Sequence, residues 1–546
     1  MTQASETRLA KFLQVAESLK PKLRTRLDKP VGVVEVEQCL QASMGWKARV
    51  VSDDSVSKTL VGKEQVIFDF GGHRTGHLSF DIEAIKHGIE PADAPCRLKI
   101  VFGEILNDVC ESFENYSAWI SPSWLPDEII NVDDFPSRVH IPRRHAFRYV
   151  KFCVMSTSSR YGIRIKDPVA TALTSAPWQD PAPLSFEHFQ GDLTADQKTM
   201  LRKIDQVSIT TLRDCMQTVF EDGPRRDRRL WIGDLRLQAL CAYDAFQDFD
   251  LAKRCLYLFA GLPFNDQGLL CACVYEKPVP LAGGNSLVDY SMLYAVTLLD
   301  YVKASGDMET GRDLFDTAAR QFRFYASNFD EELRYDLKSE GVDGLRLVHF
   351  VDWQPKLIKD NAEHAIMIYC LKAILELSQL LQVNPPRFDI GGKIDQPLES
   401  IIESLVHAHR MHYYHAQRGV FVSGIERQIS WAGNAWAVLA GVPETVEQSQ
   451  EALRVAYEDP ESIVGMTPYL HHYLCDAFIE AGLQDLALRH ILKYWGSMIE
   501  AGAETFFEAW NPDEPRSSPY GDLHANSFCH AWSCTPSLLL RRLGCA

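Results

Sequence analysis

The spacing of apolar residues changes its period about a third of the way along the chain. Before residue 170, short runs of β-branched and aromatic residues alternate with turn residues, as in QVIFDFGGHRTGHLSFDI and AFRYVKFCV. This pattern predicts strands at short intervals, which favours a β-sandwich. Residues 1–170 are therefore predicted to form an N-terminal β-sandwich accessory domain.

Apolar residues recur every three or four positions from about residue 191 onward, which predicts helices. A proline-rich stretch with little apolar periodicity, residues 171–190, is the predicted interdomain linker. Thr194, followed by Gln197, has the pattern of a helix start. Irregular helix spacing disfavours a short-period solenoid, and a closed ring buries this many apolar faces better than an open bundle. We expect a multi-domain, mainly α fold, with an (α/α)6 helical barrel over residues 191–546.

Composition and charge narrow the range of partners. The chain has 546 residues, 46% of them hydrophobic and 24% charged, and its net charge is −17. These proportions are those of a globular protein, and the acidic charge argues against nucleic acid as a partner. The first residues, MTQASETRLAKFLQ, have no signal-peptide pattern, and no apolar run reaches membrane-spanning length. We expect a cytoplasmic location and no membrane partner, and the sequence leaves the oligomeric state open.

Cysteine usage indicates reduced thiols rather than disulfides or a metal centre. Several of the fourteen cysteines lie in apolar segments that are predicted to be helical, such as LCAYDAF and IMIYCLKA. Cys271 and Cys273 form a CxC pair that no second pair with histidines follows. We expect no metal and no organic cofactor.

One charged segment and three shorter ones carry candidate chemistry. In EDGPRRDRRLWIGD, Asp222, Asp227 and Asp234 alternate with arginines, so carboxyl pKa values can shift in either direction. Trp231 in the same segment offers a flat face to a sugar ring. A solvated charged loop that enters a helix would have the same sequence character.

The other three segments combine an acid or a histidine with aromatic residues. Glu508 lies among aromatics in TFFEAW, His530 lies in SFCHAW, and Asp352 and Trp353 lie in HFVDWQP. A helix-end glutamate, a core histidine and interhelical packing are the structural alternatives. Glycoside hydrolysis needs two carboxyl groups, one to protonate the leaving oxygen and one to activate water or attack the anomeric carbon.

These segments resemble glycoside hydrolase family 78, the α-L-rhamnosidases. The matching motifs are the signature loop DGPRRDRRLWIGD, TFFEAW and SFCHAW, and the resemblance extends over residues 60–540. It implies an inverting enzyme that releases terminal α-L-rhamnose from small glycosides or oligosaccharides. The resemblance also implies the (α/α)6 barrel behind a β-sandwich.

The resemblance implies a role for each motif residue. It implies that Asp227 is the general acid and Glu508 the general base that activates water. The residues expected to contact or line the rhamnose subsite are Asp222, Arg226, Trp231, Asp234, Asp352, Trp353 and His530. A longer alignment of the loop places the acid position on Arg228, which cannot donate a proton, so a neighbouring carboxyl group stays an alternative acid.

Two other functions stay open at this point. Arg225, Arg228 and Arg229 would suit a related six-hairpin hydrolase for a uronic acid or another deoxysugar, because they could bind a carboxylate. A non-catalytic carbohydrate-binding protein would bind sugar without turnover. The aglycone and the linkage are not readable from the sequence.

Overall fold

The computed structural model describes residues 3–52, 59–60, 64–86, 92–283, 286–335 and 347–545. A sheet-rich region precedes a helical region, as the change of apolar period predicts. The strands of the first region are β1 (Arg24–Asp28), β2 (Gly32–Gln38), β3 (Trp46–Ser52), β4 (Thr59–Leu60), β5 (Gln65–Lys86), β6 (Cys96–Gly103), β7 (Asp127–Val132), β8 (Ser137–His140), β9 (His145–Ser156) and β10 (Tyr161–Thr174).

The long strand β5 is shared by both halves of one ten-stranded sheet. Its first half pairs with β2 and β9, and β9 continues the sheet through β6 to β7. Its second half pairs with β8 and β10, and β10 pairs in turn with β1. The two halves enclose one apolar core, in which Phe68, Phe80, Phe102 and Phe152 are buried. A Cβ at Gly76 would lie 2.1 Å from the Thr171 carbonyl oxygen, so only glycine allows β5 and β10 to approach here.

Helices make up most of the rest of the chain. Thr194 begins the first barrel helix with the predicted capping box, in which Thr194 and Gln197 each accept the other's backbone N–H. The helices are α1 (Gln3–Ser18), α2 (Leu106–Cys110), α3 (Ala195–Cys215), α4 (Ile232–Phe246), α5 (Asp250–Ala260), α6 (Val288–Ser305), α7 (Met308–Arg320), α8 (Phe322–Ala326), α9 (Asp360–Leu381), α10 (Leu398–Tyr413), α11 (Trp431–Leu439), α12 (Val446–Glu458), α13 (Pro468–Glu480), α14 (Gln484–Glu500) and α15 (Pro536–Arg542).

Six helix pairs form a double ring. The inner helices α4, α6, α9, α11 and α13 contact one another in that order, and α15 closes the ring between α13 and α4. The outer helices are α3, α5, α7, α10, α12 and α14. The predicted six-hairpin barrel is therefore confirmed. By length and composition α9 could cross a membrane, but 67% of its most apolar window is buried within the protein, as an inner helix requires.

Ten short strands lie in the connections of the helical region. They form small two- and three-stranded sheets rather than a further domain. They are β11 (Leu230–Trp231), β12 (Cys273–Tyr275), β13 (Leu281–Ala282), β14 (Ser286–Leu287), β15 (Leu347–Val348), β16 (Arg387–Ile390), β17 (Lys393–Pro397), β18 (Tyr414–His415), β19 (Val420–Ser423) and β20 (Gln428–Ile429).

Two details differ from the predicted boundaries. Residues 171–174 belong to β10, where buried and half-buried side chains alternate, rather than to the linker. Helix α1 falls in the range predicted for the β-sandwich, yet it packs on α5 of the barrel, with the Phe12 and Tyr257 rings 5.4 Å apart. The fully buried Arg254 of α5 donates to the carbonyl oxygen of Ala16 and forms an ion pair with Glu276.

Buried polar contacts join the sheet region to the barrel. The two ring nitrogens of His73 on β5 lie 2.6 Å from Asp214 Oδ2 and 3.1 Å from Glu104 Oε1. Glu104 also accepts the backbone N–H of Phe528 at 2.7 Å. Ligand atoms of His73, Asp214 and Cys529 lie within 4.8 Å of one another. Because Phe528 and Cys529 belong to the SFCHAW segment, this interface supports a segment that carries candidate chemistry.

None of the fourteen cysteines forms a disulfide, as their positions in apolar sequence segments predict. Eleven of them are buried. Cys271 and Cys273 are both buried, and burial raises the pKa of the Cys271 thiol to about 12. These thiols therefore pack as small apolar groups.

Candidate active site

The signature loop between α3 and α4 is closed by its own backbone. Asp222 accepts the backbone N–H of Arg229 at 3.1 Å and donates its own N–H to the Arg229 carbonyl at 3.0 Å. Asp227 and Arg228, at the tip, have φ angles of 50° and 56°, in the left-handed region. Arg228 donates to the carbonyl oxygens of Pro224 and of Arg144. The loop is therefore a rigid support for Asp227.

Glu508 is buried at the centre of the site, and both oxygens of its carboxylate accept hydrogen bonds. Both of its carboxylate oxygens lie 2.9 Å from Nη2 of Arg226, and Oε2 also accepts the backbone N–H of Ser527 at 3.0 Å. The Tyr520 hydroxyl donates to Oε1. Burial alone would raise the pKa of Glu508, but the charge of Arg226, the nearby His530 ring and these hydrogen bonds bring it below its ordinary value. Glu508 is therefore ionised at neutral pH.

One guanidinium group links the two predicted catalytic carboxylates. Arg226 binds Glu508 through Nη2, and its Nη1 lies 3.2 Å from Oδ1 of Asp227. The Arg226 guanidinium also stacks on the Tyr520 ring, 4.5 Å from its centroid. Asp227 is the more exposed of the two acids, with 18% of its side chain accessible against 5% for Glu508. The two carboxylates thus lie on either side of one buried cation.

His530 lies between three carboxyl groups. Its Nε2 is 3.9 Å from Asp222 Oδ2 and from Glu508 Oε1, and its Nδ1 is 3.8 Å from Asp234 Oδ1. Burial lowers the pKa of His530 to about 4, so the ring is neutral at neutral pH. Burial raises the pKa of Asp222, and the charges of Asp227 and Asp234 raise it further. Burial and the charge of Glu508 likewise raise the pKa of Asp234.

Three buried polar atoms of predicted site residues have no hydrogen-bond partner within the described residues. They are Oδ1 of Asp234, Nδ1 of His530 and Nε1 of Trp231. Buried polar atoms are nearly always paired, so a cluster of unpaired ones indicates a site that a polar ligand fills. Several donors and acceptors close together suit the hydroxyl groups of a sugar.

Aromatic rings line the same space. Trp532 lies 4.3 Å from the His530 ring and stacks on Phe350 at 5.9 Å. Phe350 contacts Trp353 at 5.4 Å, and Trp353 contacts Tyr520 at 5.9 Å, all measured between ring centroids. This chain of rings places apolar faces beside the polar cluster, the combination that a pyranose requires.

Asp352 does not join the cluster. Its Oδ1 accepts the backbone N–H and the hydroxyl of Thr467, and its Oδ2 accepts the N–H groups of Met466 and Gln354. Thr467 is the N-cap of α13. Both oxygens of Asp352 therefore accept hydrogen bonds from the protein itself, and these bonds hold the start of α13 beside Trp353. The contact of Asp352 with substrate stays a prediction.

The remaining arginines of the loop have internal partners as well. Arg225 is buried and makes a two-pronged ion pair with Asp108 of α2, at 2.9 and 3.0 Å. Arg229 stacks on Tyr275, 4.3 Å from the ring centroid, and lies 3.9 Å from Asp227. With Arg228 bound to carbonyl oxygens, these contacts disfavour the uronic-acid alternative.

Sequence reasoning missed Tyr520, which contacts Glu508, Arg226 and Trp353. It lies in the segment SSPYGD, where neither an apolar period nor an acid beside an aromatic marks it. The other predicted residues, apart from Asp352, lie in or beside the cluster.

Two family models match the chain along most of its length. Residues 30–172 match the glycosyl hydrolase family 78 alpha-rhamnosidase N-terminal domain. Residues 190–542 match the bacterial alpha-L-rhamnosidase six-hairpin glycosidase domain. A search among curated proteins finds no match.

Solved structures resemble the whole chain. A rhamnosidase from Klebsiella oxytoca with rhamnose bound is 36% identical, with a TM-score of 0.88 over 98% of this chain and 99% of that one. A family 78 rhamnosidase of Bacillus sp. GL1 is 17% identical, with a TM-score of 0.69 over 92% of this chain and 50% of that one. The Streptomyces avermitilis α-L-rhamnosidase complexed with L-rhamnose is 15% identical, with a TM-score of 0.65 over 96% and 44%. The last two likenesses concern the fold alone.

Proposed function

The chain belongs to glycoside hydrolase family 78, and from that premise we propose that it is an inverting α-L-rhamnosidase. The observation that carries the proposal is the single Arg226 guanidinium that binds both Asp227 and Glu508. Two carboxyl groups, one on either side of that guanidinium, supply the acid and the base that hydrolysis of a glycosidic bond requires. The relative at 36% identity is a rhamnosidase with rhamnose bound, which supports the choice of sugar.

Glu508 is the general base in this proposal. Its lowered pKa keeps it ionised, so it can accept a proton from water as the water attacks the anomeric carbon. The donors Arg226, Tyr520 and Ser527 fix the carboxylate in one orientation. A fixed acceptor reduces the entropy that is lost on reaching the transition state.

Asp227 is the general acid, which protonates the leaving oxygen. It is the catalytic carboxyl nearer to solvent, where the leaving group must depart. The pKa values of Asp222 and Asp234 are raised, which favours their protonated forms, in which each can donate as well as accept a hydrogen bond. With the neutral His530, they suit the sugar hydroxyls, and this leaves the two proton transfers to Asp227 and Glu508.

The test is hydrolysis of p-nitrophenyl α-L-rhamnopyranoside by the wild type, Asp227→Asn, Glu508→Gln and Asp222→Asn. We expect wild-type activity and losses of at least about 100-fold in the first two variants. Proton NMR of the first product should detect β-L-rhamnose, since inversion converts the α linkage to the β anomer. No wild-type turnover of any aryl α-L-rhamnoside would overturn the proposal.

A leaving-group series separates the two candidate acids. A 2,4-dinitrophenyl leaving group needs little protonation, so this substrate should restore much of the activity of Asp227→Asn and little of that of Glu508→Gln. If the substrate instead restored Asp222→Asn and not Asp227→Asn, Asp222 would be the acid.

A further inference from the structure

Phe350 is the middle ring of a buried aromatic wall, which consists of Tyr290, Phe350 and Trp532. The centroid of its ring lies 5.3 Å from that of Tyr290 and 5.9 Å from that of Trp532. Trp532 contacts the His530 ring at 4.3 Å. All three residues of the wall are buried. Because close packing transmits displacements, a shift of Phe350 would move the apolar surface beside the polar cluster.

The other end of the aromatic wall packs against the end of the signature loop. Gly233 immediately precedes Asp234, and a Cβ added to Gly233 would lie 2.4 Å from the Tyr290 ring. Only glycine allows so close an approach, so the Tyr290 ring lies directly on the backbone that presents Asp234. Phe350 therefore lies between one ring that adjoins Asp234 and another that adjoins His530.

The backbone that carries Phe350 is strained. Val351, the next residue, has a φ of 49°, in the left-handed region, and its side chain is fully buried. This region is unfavourable for a β-branched residue. The N–H of Asp352 donates to the carbonyl oxygen of Phe350, which tightens the turn. Such a turn persists only where the surrounding structure holds it in place.

Asp289, in the first turn of the inner helix α6, holds this turn. Its Oδ1 accepts the backbone N–H of Phe350 at 3.0 Å, and its Oδ2 accepts that of Val351 at 2.9 Å. Burial and the charge of Glu363 raise the pKa of Asp289, and the two N–H donors oppose that rise. The donors favour the ionised carboxylate, so the charge of Asp289 and the turn stabilise each other.

A glycine at position 351 would form the same turn without strain and without a buried acid. The chain instead combines a valine in the left-handed region with a carboxylate that is costly to bury. Backbone strain of this kind is concentrated at functional sites, where it fixes the position of a side chain. Here the side chain that it fixes is Phe350.

We propose that Asp289 is a positioning residue for the rhamnosidase reaction: it holds the turn of Phe350 and Val351 and thereby keeps the aromatic wall in place against the sugar. The inference rests on the proposed rhamnosidase function. Asp289 acts through Phe350 and has both oxygens bound to the backbone, so its removal should weaken sugar binding more than it slows proton transfer.

The experiment measures kcat and KM on p-nitrophenyl α-L-rhamnopyranoside and the inhibition constant of free L-rhamnose. In Asp289→Ala, we expect KM and the inhibition constant to rise about tenfold and kcat to fall less than about threefold, because the wall contacts the sugar before and during the reaction. Asp289→Asn keeps one acceptor oxygen, so it should show a smaller loss in the same direction, and it carries the comparison if Asp289→Ala does not fold.

The matched control is Asp250→Ala. Asp250 is an exposed acid in the first turn of the outer helix α5, so its removal takes the same charge from a helix N-terminus. We expect the wild-type KM in this variant.

A second pair of variants tests whether Asp289 acts through the turn. Glycine at position 351 removes the strain, so the turn no longer needs its acceptor. In the Val351→Gly background, Asp289→Ala should therefore raise KM less than about threefold, against about tenfold in the wild-type background.

Three outcomes would overturn the inference. The first is a wild-type KM and inhibition constant in both Asp289 variants. The second is an equal loss with valine and with glycine at position 351, which would mean that Asp289 does not act through the turn. The third is a fall in kcat alone, which would place Asp289 in the proton transfers. In all three cases the wild type hydrolyses rhamnosides, whereas failure of the proposed function leaves it inactive on every one.

Discussion

The hydroxyl of Tyr520 donates a hydrogen bond to Oε1 of Glu508. The bond lowers the pKa of Glu508, because the ionised carboxylate is the better acceptor. It also joins the base to the loop that faces solvent. Tyr520, which lies outside every predicted motif, thus lowers the pKa of the predicted base Glu508.

Replacing Tyr520 with phenylalanine removes that donor and keeps the ring. We expect kcat to fall about tenfold and the acidic limb of the kcat/KM profile to move to higher pH. The sign follows because Glu508 acts when ionised, and loss of a donor raises its pKa. The measurement is a pH–rate profile on p-nitrophenyl α-L-rhamnopyranoside. An acidic limb at the wild-type pH would contradict the assignment of Glu508 as the base.

Arg226 binds both proposed catalytic carboxylates, Asp227 and Glu508, so its loss affects both. We expect Arg226→Met to lower kcat/KM by about 100-fold or more, because a buried carboxylate left without its cation costs several kcal/mol. Arg229→Met, at a partly exposed arginine of the same loop, is the matched control and should cost far less. Thermal unfolding of each variant establishes that the comparison is between folded proteins. Similar losses in the two variants would refute the special role of Arg226.

Asp352 tests the difference between positioning and binding. Asp352→Ala leaves the N–H groups of Met466 and Thr467 without their acceptor, so the free energy of unfolding should fall by about 1–3 kcal/mol. Inhibition by free L-rhamnose should stay within about threefold of wild type, since no oxygen of Asp352 is free for the sugar. Denaturant unfolding and inhibition constants measure the two effects. A large rise in the rhamnose inhibition constant, with stability unchanged, would restore Asp352 to the substrate site.

His73 at the junction of the two regions predicts a pH-dependent stability. Burial opposes its charge, but the hydrogen bonds to Asp214 and Glu104 outweigh burial and raise the pKa of His73 well above its ordinary 6.5. A raised pKa in the folded state stabilises the fold fully below the unfolded pKa, and the stabilisation is lost as pH rises through the folded pKa.

We therefore expect His73→Gln to lower the free energy of unfolding most at about pH 6, with a difference that shrinks as the pH rises through the raised pKa. Denaturant unfolding from about pH 6 to 9 measures it. The exposed His140 of β8 is the matched control, because it lies away from the junction and its replacement by glutamine should cost little stability. A difference that grew with pH would mean that His73 is neutral in the folded protein.

Much of the architecture and of the site could be predicted from the sequence. The apolar period distinguishes the strands from the helices, and Thr194 with Gln197 marks the start of the barrel because capping is local chemistry. The signature loop, TFFEAW and SFCHAW supply residues that the fold brings together: Arg226 and Glu508 are in contact although 282 positions separate them. The sequence motifs name the residues of the buried cluster around His530, whereas the contacts among them depend on the closed ring of helices.

The rest depends on contacts between distant segments. Asp352 and Trp353 have the pairing of an acid with an aromatic residue that is typical of a sugar site. In the structure, however, Asp352 accepts hydrogen bonds from the N–H groups of Met466 and Thr467. Tyr520 of the barrel and Trp119 of the sheet region contact each other through a backbone hydrogen bond and through their rings. Neither has a local pattern that a sequence reading detects.

Helix α1 has a consequence for dividing the protein into parts. It precedes the sheet region in the chain, yet its residues Phe12 and Ala16 pack against α5. The Ala16 carbonyl oxygen accepts a hydrogen bond from the buried Arg254. A single cut in the gene between the two regions would therefore separate α1 from the barrel and leave the Arg254 guanidinium short of an acceptor. A separable barrel needs α1 joined back to α3 by a linker, with the sheet region treated as an insertion between them.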